Sequence, residues 1–237
     1  MKKLLFTLVA LCATMSINAQ VINVYENGVK KATYSNSSSK VYKVEYKRAP
    51  SKPDTTGEAY RKDNKKVAWV QLWEDGPKWA TYNVGAENDQ PEDYGGYYCW
   101  GSSINKDTAG SPYYRNGIAP LSGDDDTATA IWGDNWRMPT RDEMQALLDN
   151  CTYTWTTQND VNGLLCTGNT TGYTDNSVFL PAAGYFYRLG YCQGEYCNYW
   201  FSTPYDSDGA YYLHSFVGIS HDNRYFSYSV RAVLNEE

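Results

Sequence analysis

The chain has little of what most catalytic and metal sites are built from. Only two histidines occur in its 237 residues, His214 and His221, and they make no zinc-type spacing with the cysteines. Cys-x-x-Cys and Gly-x-Ser-x-Gly are absent, and no glutamate closes an EF-hand-like loop. Thioredoxin-type redox chemistry, the usual hydrolase nucleophile turn and that calcium motif therefore have no basis in the sequence. There is no basic block, and 27 acidic residues outnumber 21 basic ones. That balance argues against nucleic acid or anionic lipid as the main partner, since both need concentrated positive charge. Beyond residue 13 no apolar run approaches the ~20 residues a membrane-spanning helix requires. A mean hydropathy of −0.62 likewise points away from an integral membrane protein. From these absences we expect no catalytic set, no metal and no cofactor.

What is present begins with an export signal. Residues 1–19 join Lys2 and Lys3 to an apolar run, Leu4–Ala13, and end in Ile17-Asn18-Ala19 before Gln20. Removing them costs two lysines and no acid, which takes the net charge from −6 to −8. The mature chain is then secreted, periplasmic or outer-surface, and long enough to bury one sizeable core. Its aromatic balance is skewed: 23 Tyr and 8 Trp stand against 6 Phe, so most of its rings carry a polar handle. Recognition surfaces favour such side chains, although half-buried strands accept them too.

Five cysteines remain after export: Cys99, Cys151, Cys166, Cys192 and Cys197. An oxidising compartment allows disulfides, but an odd count leaves a thiol over and the pairing open. Cys192 and Cys197, with four residues between them, are the nearest pair in sequence and the expected local bridge. The acidic groups Asp124-Asp125-Asp126 and Asp206-Ser207-Asp208-Gly209 are weighed as calcium loops against plainer roles. The first suits a helix N-terminus, the second a β-turn.

Along the chain, residues 20–46 predict a small β unit. In it Val21–Tyr25 and Lys31–Tyr34 are joined by an Asn27-Gly28 hairpin turn, and Val41–Tyr46 follows as a third strand. Residues 47–64 read as a linker, with two prolines, a glycine and mixed charge. Residues 65–237 read as one domain. In that domain we expect strands at Val67–Trp73 and Trp79–Val84, and a short aromatic strand inside Gly95–Gly101. One clear helix follows Pro139, with a Thr140/Glu143 capping box and Met144, Leu147, Leu148 and Cys151 on one face. A weaker helix is expected at Asp126–Ile131. Many short strands follow, ending at Ser227–Val233. Few helices among many strands make an α+β pattern.

Six segments, taken in order, resemble a known family. They are Trp79–Ala86, Tyr94–Gly101, Trp132–Thr140 with its Trp-Arg-Met-Pro-Thr core, Leu180–Tyr185, Tyr199–Thr203 and Ser229-Val230-Arg231. Together they look like the Fibrobacter succinogenes major paralogous domain of Bacteroidetes exported proteins, over roughly residues 67–234. That family is distantly related to the formylglycine-generating enzymes. The resemblance therefore implies a C-type-lectin-like (formylglycine-generating-enzyme-like) fold in which Arg137 ties loop carbonyls and Arg231 has a similar structural role. It also implies that the late loops and strands form the ligand-facing surface, in some members a diversified one. Related enzymes oxidise a substrate cysteine with two cysteines spaced as Cys192 and Cys197 are. The Asn198-Tyr199-Trp200-Phe201 context here lacks their basic character. Asp107-Thr108-Ala109 and Asp126-Thr127-Ala128 are similar to the O-glycosylation triplets of such exported proteins, at Thr108 and Thr127.

The expected function is a non-enzymatic exported binding protein whose ligand is a glycan or a cell-surface protein. A formylglycine-generating-type thiol oxidase and a structural or appendage component of the envelope are the alternatives. The expected ligand surface is the segment from Asn198 to Tyr225. It carries Asn198, Tyr199, Tyr205, Asp206, Asp208, Tyr211, His214, His221, Asp222, Asn223, Arg224 and Tyr225 between strand faces buried by Trp200, Phe201, Leu213, Phe216 and Val217.

Overall fold

The structure is a computed structural model that describes residues 21–26, 29–35, 54–105, 117–187 and 190–236. The expected export signal, the Asn27-Gly28 turn, the strand expected at Val41–Tyr46 and Thr108 lie outside the described residues. The chain divides into two units, residues 1–52 and 53–237. In the first, Val21–Glu26 pairs antiparallel with Val29–Ser35, with a register shift between Val24 and Tyr25. The hairpin expected there is present.

The second unit begins earlier than the sequence suggests. Thr56–Tyr60 is a strand, not linker, and pairs with Lys66–Gln71 through a tight turn in which Asn64 adopts φ 63°. This strand is the edge of a five-stranded antiparallel sheet that continues through Lys78–Ala80, Val233–Leu234 and Trp136–Arg137. The start and end of the unit thus meet in one sheet. The strand expected at Trp79–Val84 stops at Ala80, that inside Gly95–Gly101 is reduced to Tyr98–Cys99, and Ser227–Val233 divides into two short strands.

Helix α1 (Thr127–Trp132) is capped by Asp126, whose buried carboxylate accepts from the N–H groups of Ala128, Thr129 and Met138. Burial pushes this carboxyl up to about 6, against the opposing pull of those N–H groups. Trp132 at the helix end packs edge-on against Tyr82 and Trp136 at 5.5 and 5.4 Å. Helix α2 (Arg141–Asn150) carries the predicted capping box in full: Thr140 Oγ1 accepts from Glu143 N, and Glu143 accepts from Thr140 N. Met144 and Leu147 are fully buried, as the period requires. Arg137 grips Glu143 with both guanidinium nitrogens, at 2.7 and 2.6 Å, and donates to the Met138 carbonyl.

The remaining strands form three antiparallel sheets. Cys151–Gln158, Val161–Gly168 and Ser177–Pro181 make the first, turned at Asn159-Asp160, where both residues take positive φ as a type I′ hairpin demands. Gly190–Tyr191, Phe186–Tyr187, Ser227–Tyr228 and Tyr98–Cys99 make a second. The third is a meander of Asn198–Pro204, Gly209–His214 and Gly218–Asn223. Two apolar clusters lie on its two sides, one rich in tryptophan and one against α2. Arg231 is wholly buried where these parts converge. It donates to Asn83 Oδ1 at 2.9 Å and to the carbonyls of Ala80 and Phe179 at 3.1 and 2.9 Å. The coarse α+β class is what the structure shows: many strands and few helices.

Candidate functional site

The meander places the predicted ligand residues, and its alternation divides them. Tyr211 faces His221 and Leu213 faces Ile219, whereas Ala210 faces Asp222, Tyr212 faces Ser220 and His214 faces Gly218. Neighbouring residues of a strand point to opposite faces. The segment therefore presents two surfaces where the sequence suggested one.

The first face lies against α2. Tyr205 stacks on His221 with ring centroids 3.6 Å apart and planes within 4°, and meets Tyr211 edge-on at 5.4 Å. The Arg141 guanidinium sits 5.2 Å above the Tyr211 ring. Asp206 is engaged within its own turn, accepting from Asp208 N and Gly209 N, which holds its carboxyl below the usual range. This is the β-turn role, and among the described residues no group of His, Cys, Asp or Glu could hold a metal ion.

The second face is built around a tyrosine–carboxylate hydrogen bond. The Tyr228 hydroxyl donates to Asp222 Oδ2 at 2.8 Å. The Tyr228 ring packs against that of Tyr212, with centroids 4.7 Å apart, and Tyr212 lies opposite Ser220 across the strand pair. Burial, reinforced by the Asp222 charge, pushes the Tyr228 hydroxyl far above its ordinary value, so it remains a proton donor. Aromatic side chains surround this pair. Tyr185 meets Phe226 and Tyr228 edge-on at 6.3 and 6.4 Å, Phe226 lies nearly parallel to Tyr228, and Tyr196 lies 5.2 Å from His214. Burial holds His214 below its usual value, so the ring is neutral at pH 7. Tyr185, Tyr196, His214, Ser220, Asp222 and Phe226 are all half-buried, and Tyr225 beside them is exposed.

Gly184 makes the crossing that carries Tyr196 to this face. At φ 69° it passes the Cys192 backbone so closely that an added Cβ would lie 2.4 Å from the Cys192 carbonyl. Only glycine tolerates both conditions. Its N–H donates to the Tyr196 carbonyl at 2.8 Å.

Several predicted residues are structural instead. Asn198 and Tyr199 are buried in the first strand of the meander, where Tyr199 donates to the Pro181 carbonyl at 2.8 Å. Arg224 is buried against the Trp100 ring at 4.2 Å and donates to the carbonyls of Gly209, Gly117 and Asp206. Asn223, the last residue of its strand, and Asp208, in the turn before Gly209, are exposed at the meander's end. Phe216 and Val217, expected inside, project from a hairpin tip. Thr127 is buried and donates to the Ser102 carbonyl, which removes it as a glycosylation acceptor in the folded chain. Cys192 and Cys197 form no disulfide; all five cysteines of residues 20–237 are free thiols. Cys197 is buried with its Sγ 3.2 Å from the Leu180 carbonyl, while Cys192 is half-buried beside Tyr185 on the second face.

Four contributors to the second face, Tyr185, Tyr196, Phe226 and Tyr228, lie outside the predicted segment from Asn198 to Tyr225. Period-two alternation within Gly209–His214 would have separated the two faces. Nothing local marks Tyr196 as reaching one of them. Elsewhere, a cleft of about 430 Å³ beside α2 is lined by Arg137, Asp142, Glu143 and Glu236. Its one guanidinium is already bound by Glu143, and its lining holds no Ser, Thr, Cys, Lys or His. Compared with protein-family models, with curated proteins and with solved structures, the chain matches none.

Proposed function

We propose that this is an exported, non-catalytic recognition protein of the Fibrobacter succinogenes major paralogous domain type. Its second unit has a C-type-lectin-like fold and binds a glycan or a cell-surface protein on the second face of the meander. The observation that carries this reading is the Asp222 carboxylate, held by the Tyr228 hydroxyl among half-buried rings. Rigid aromatic area beside preorganised hydrogen-bonding groups is the chemistry of recognition surfaces. The meeting of the first and last strands of the unit in one sheet is compatible with the proposed fold.

The thiol-oxidase alternative receives no support from the cysteines. Burial pushes the Cys197 thiol up to about 12, which keeps it protonated and poorly nucleophilic. An array of bacterial and host glycans and envelope proteins, probed with the purified chain, tests the reading. Selective binding that Tyr185→Ala or Phe226→Ala weakens by about tenfold, in variants that melt as the parent does, is the expected result. Thiol-oxidase activity abolished by Cys192→Ser would overturn it.

A further inference from the structure

The strand Cys151–Gln158 is the edge of its sheet, and among the described residues its backbone pairs with Val161–Gly168 alone. Its sequence, CTYTWTTQ, holds no charge and no proline, and its eight residues run in unbroken register from Cys151↔Gly168 to Gln158↔Val161. Natural edges are normally blunted by charge, proline or a bulge, because unpaired N–H and C=O groups recruit another strand. The other long edges of this unit obey that rule. Thr56–Tyr60 carries Glu58, Gly218–Asn223 carries Asp222, Ser177–Pro181 ends in proline, and Asn198–Pro204 has a register shift and ends in proline. Cys151–Gln158 alone has none of these protections.

An apolar patch adjoins the open edge. Tyr153 is 55% exposed on the strand itself. Trp155 lies 5.1 Å from Phe216, which is 64% exposed, and the neighbouring Val217 is 72% exposed. Large apolar groups this exposed, next to unpaired backbone, mark a protein interface.

We propose that this edge is where a second copy of the chain pairs, antiparallel, about a two-fold axis through Thr154. A two-fold perpendicular to the sheet keeps each side chain on its own face, so residues of the same parity must meet. Centring on Thr154 places Thr152 opposite Thr156 of the second copy on one face, and Tyr153 opposite Trp155 on the other. Both are favoured cross-strand combinations. The near-palindromic run Thr152-Tyr153-Thr154-Trp155-Thr156 selects the same occupant, because it meets its own like under that axis, and its lack of charge spares the contact the repulsion between two acidic chains. One strand edge with a few flanking rings falls short of the ~1,600 Å² of a standard stable interface. The dimer is therefore weak and concentration-dependent.

Sedimentation equilibrium of the whole mature chain, up to its solubility limit, tests this. The parent is expected to dimerise with rising concentration, and Thr154→Lys to remain monomeric with an unchanged melting temperature. Phe216→Ser, outside the sheet, is expected to weaken the dimer by about tenfold, and carries the test should the lysine variant fail to fold. Mild oxidation should link two copies through Thr154→Cys but not through Thr152→Cys, which this register leaves too far from its own equivalent. A chain monomeric at every concentration, a dimer indifferent to both Thr154→Lys and Phe216→Ser, or equal cross-linking at the two positions would overturn the proposal.

Discussion

Tyr228 donates its hydroxyl to Asp222 Oδ2 at 2.8 Å, joining the last short strand before Arg231 to the outer strand of the meander. The Tyr228 ring also rests against Trp200 and Tyr212, with centroids 4.4 and 4.7 Å away. Removing only the hydroxyl separates these two functions. Tyr228→Phe keeps the ring packing but leaves Asp222 Oδ2 without its tyrosine donor, Asn223 N still serving Oδ1. Urea unfolding is expected to show a loss of about 1–2 kcal/mol, the scale of one buried hydrogen bond and its orphaned partner.

Arg231 carries a heavier load, because three acceptors in the interior depend on it. Burial pulls its guanidinium down to about 10, still well above neutral pH, so the charge persists inside. Arg231→Lys keeps the charge but cannot reach Asn83 Oδ1, Ala80 O and Phe179 O together, since lysine lacks the planar fork. A stability loss of about 3 kcal/mol or more is expected from the unsatisfied acceptors, read as a lower urea midpoint or as poor recovery of folded protein.

The Arg137–Glu143 pair gives stability an acid-sensitive component. Burial pushes the Glu143 carboxyl up, but the Arg137 guanidinium, the Thr140 N–H and the Thr140 hydroxyl outweigh it and hold the group below 4.5. A depressed carboxyl stabilises the fold above its unfolded value and loses that contribution as pH falls through the folded one. At neutral pH Glu143→Gln is expected to cost about 1–2 kcal/mol, modest because both side chains are partly exposed. The gap from the parent should close as pH falls below 4.5. Paired urea titrations across that range measure it; a gap that stays constant would show that the pair acts by packing alone.

Thiol accessibility follows from burial. Cys99, Cys151, Cys166 and Cys197 are buried, whereas Cys192 is half-buried on the aromatic face. Native labelling with iodoacetamide is expected to modify Cys192 alone, with the other four reacting only in denaturant. Peptide mass mapping reads both states. A Cys192–Cys197 disulfide in unreduced protein would contradict this arrangement.

Much of the frame was legible in the sequence because its signals are local. The Thr140/Glu143 box and the spacing of Met144 and Leu147 give α2, and Asp126 gives the start of α1. Arg231 was expected to be structural and is. Thr56–Tyr60 was misread as linker because Thr, Gly and Glu show no apolar alternation. Its strand state comes from pairing with Lys66–Gln71, which the segment itself does not encode. Two-residue strands such as Tyr98–Cys99 likewise exist only through a partner more than a hundred residues away. Phe216 and Val217 looked like core by hydropathy, yet a turn sets them outside. The site was half legible for a similar reason. Asp222 and His214 belong to it, but Tyr185 and Tyr196 arrive from the crossing at Gly184.

That division of the meander yields the sharpest test of where recognition occurs. Tyr211 and His221 share one face, and Asp222, one residue along, belongs to the other. The first face already satisfies its own groups: Tyr205 is stacked on His221, and Tyr211 is covered by Arg141. The second keeps half-buried rings around an ordered carboxylate. Hot spots concentrate where rigid aromatic groups flank preorganised polar ones. Once the array identifies a ligand, Tyr196→Ala and Asp222→Asn are expected to lower its affinity at least about tenfold. Tyr205→Ala and His221→Ala should leave it within about twofold, because surface changes outside the contact contribute little. Calorimetry on the four variants, each checked by melting, decides between the faces. If the Tyr205 and His221 variants lose binding while the Tyr196 and Asp222 variants keep it, recognition belongs to the face against α2.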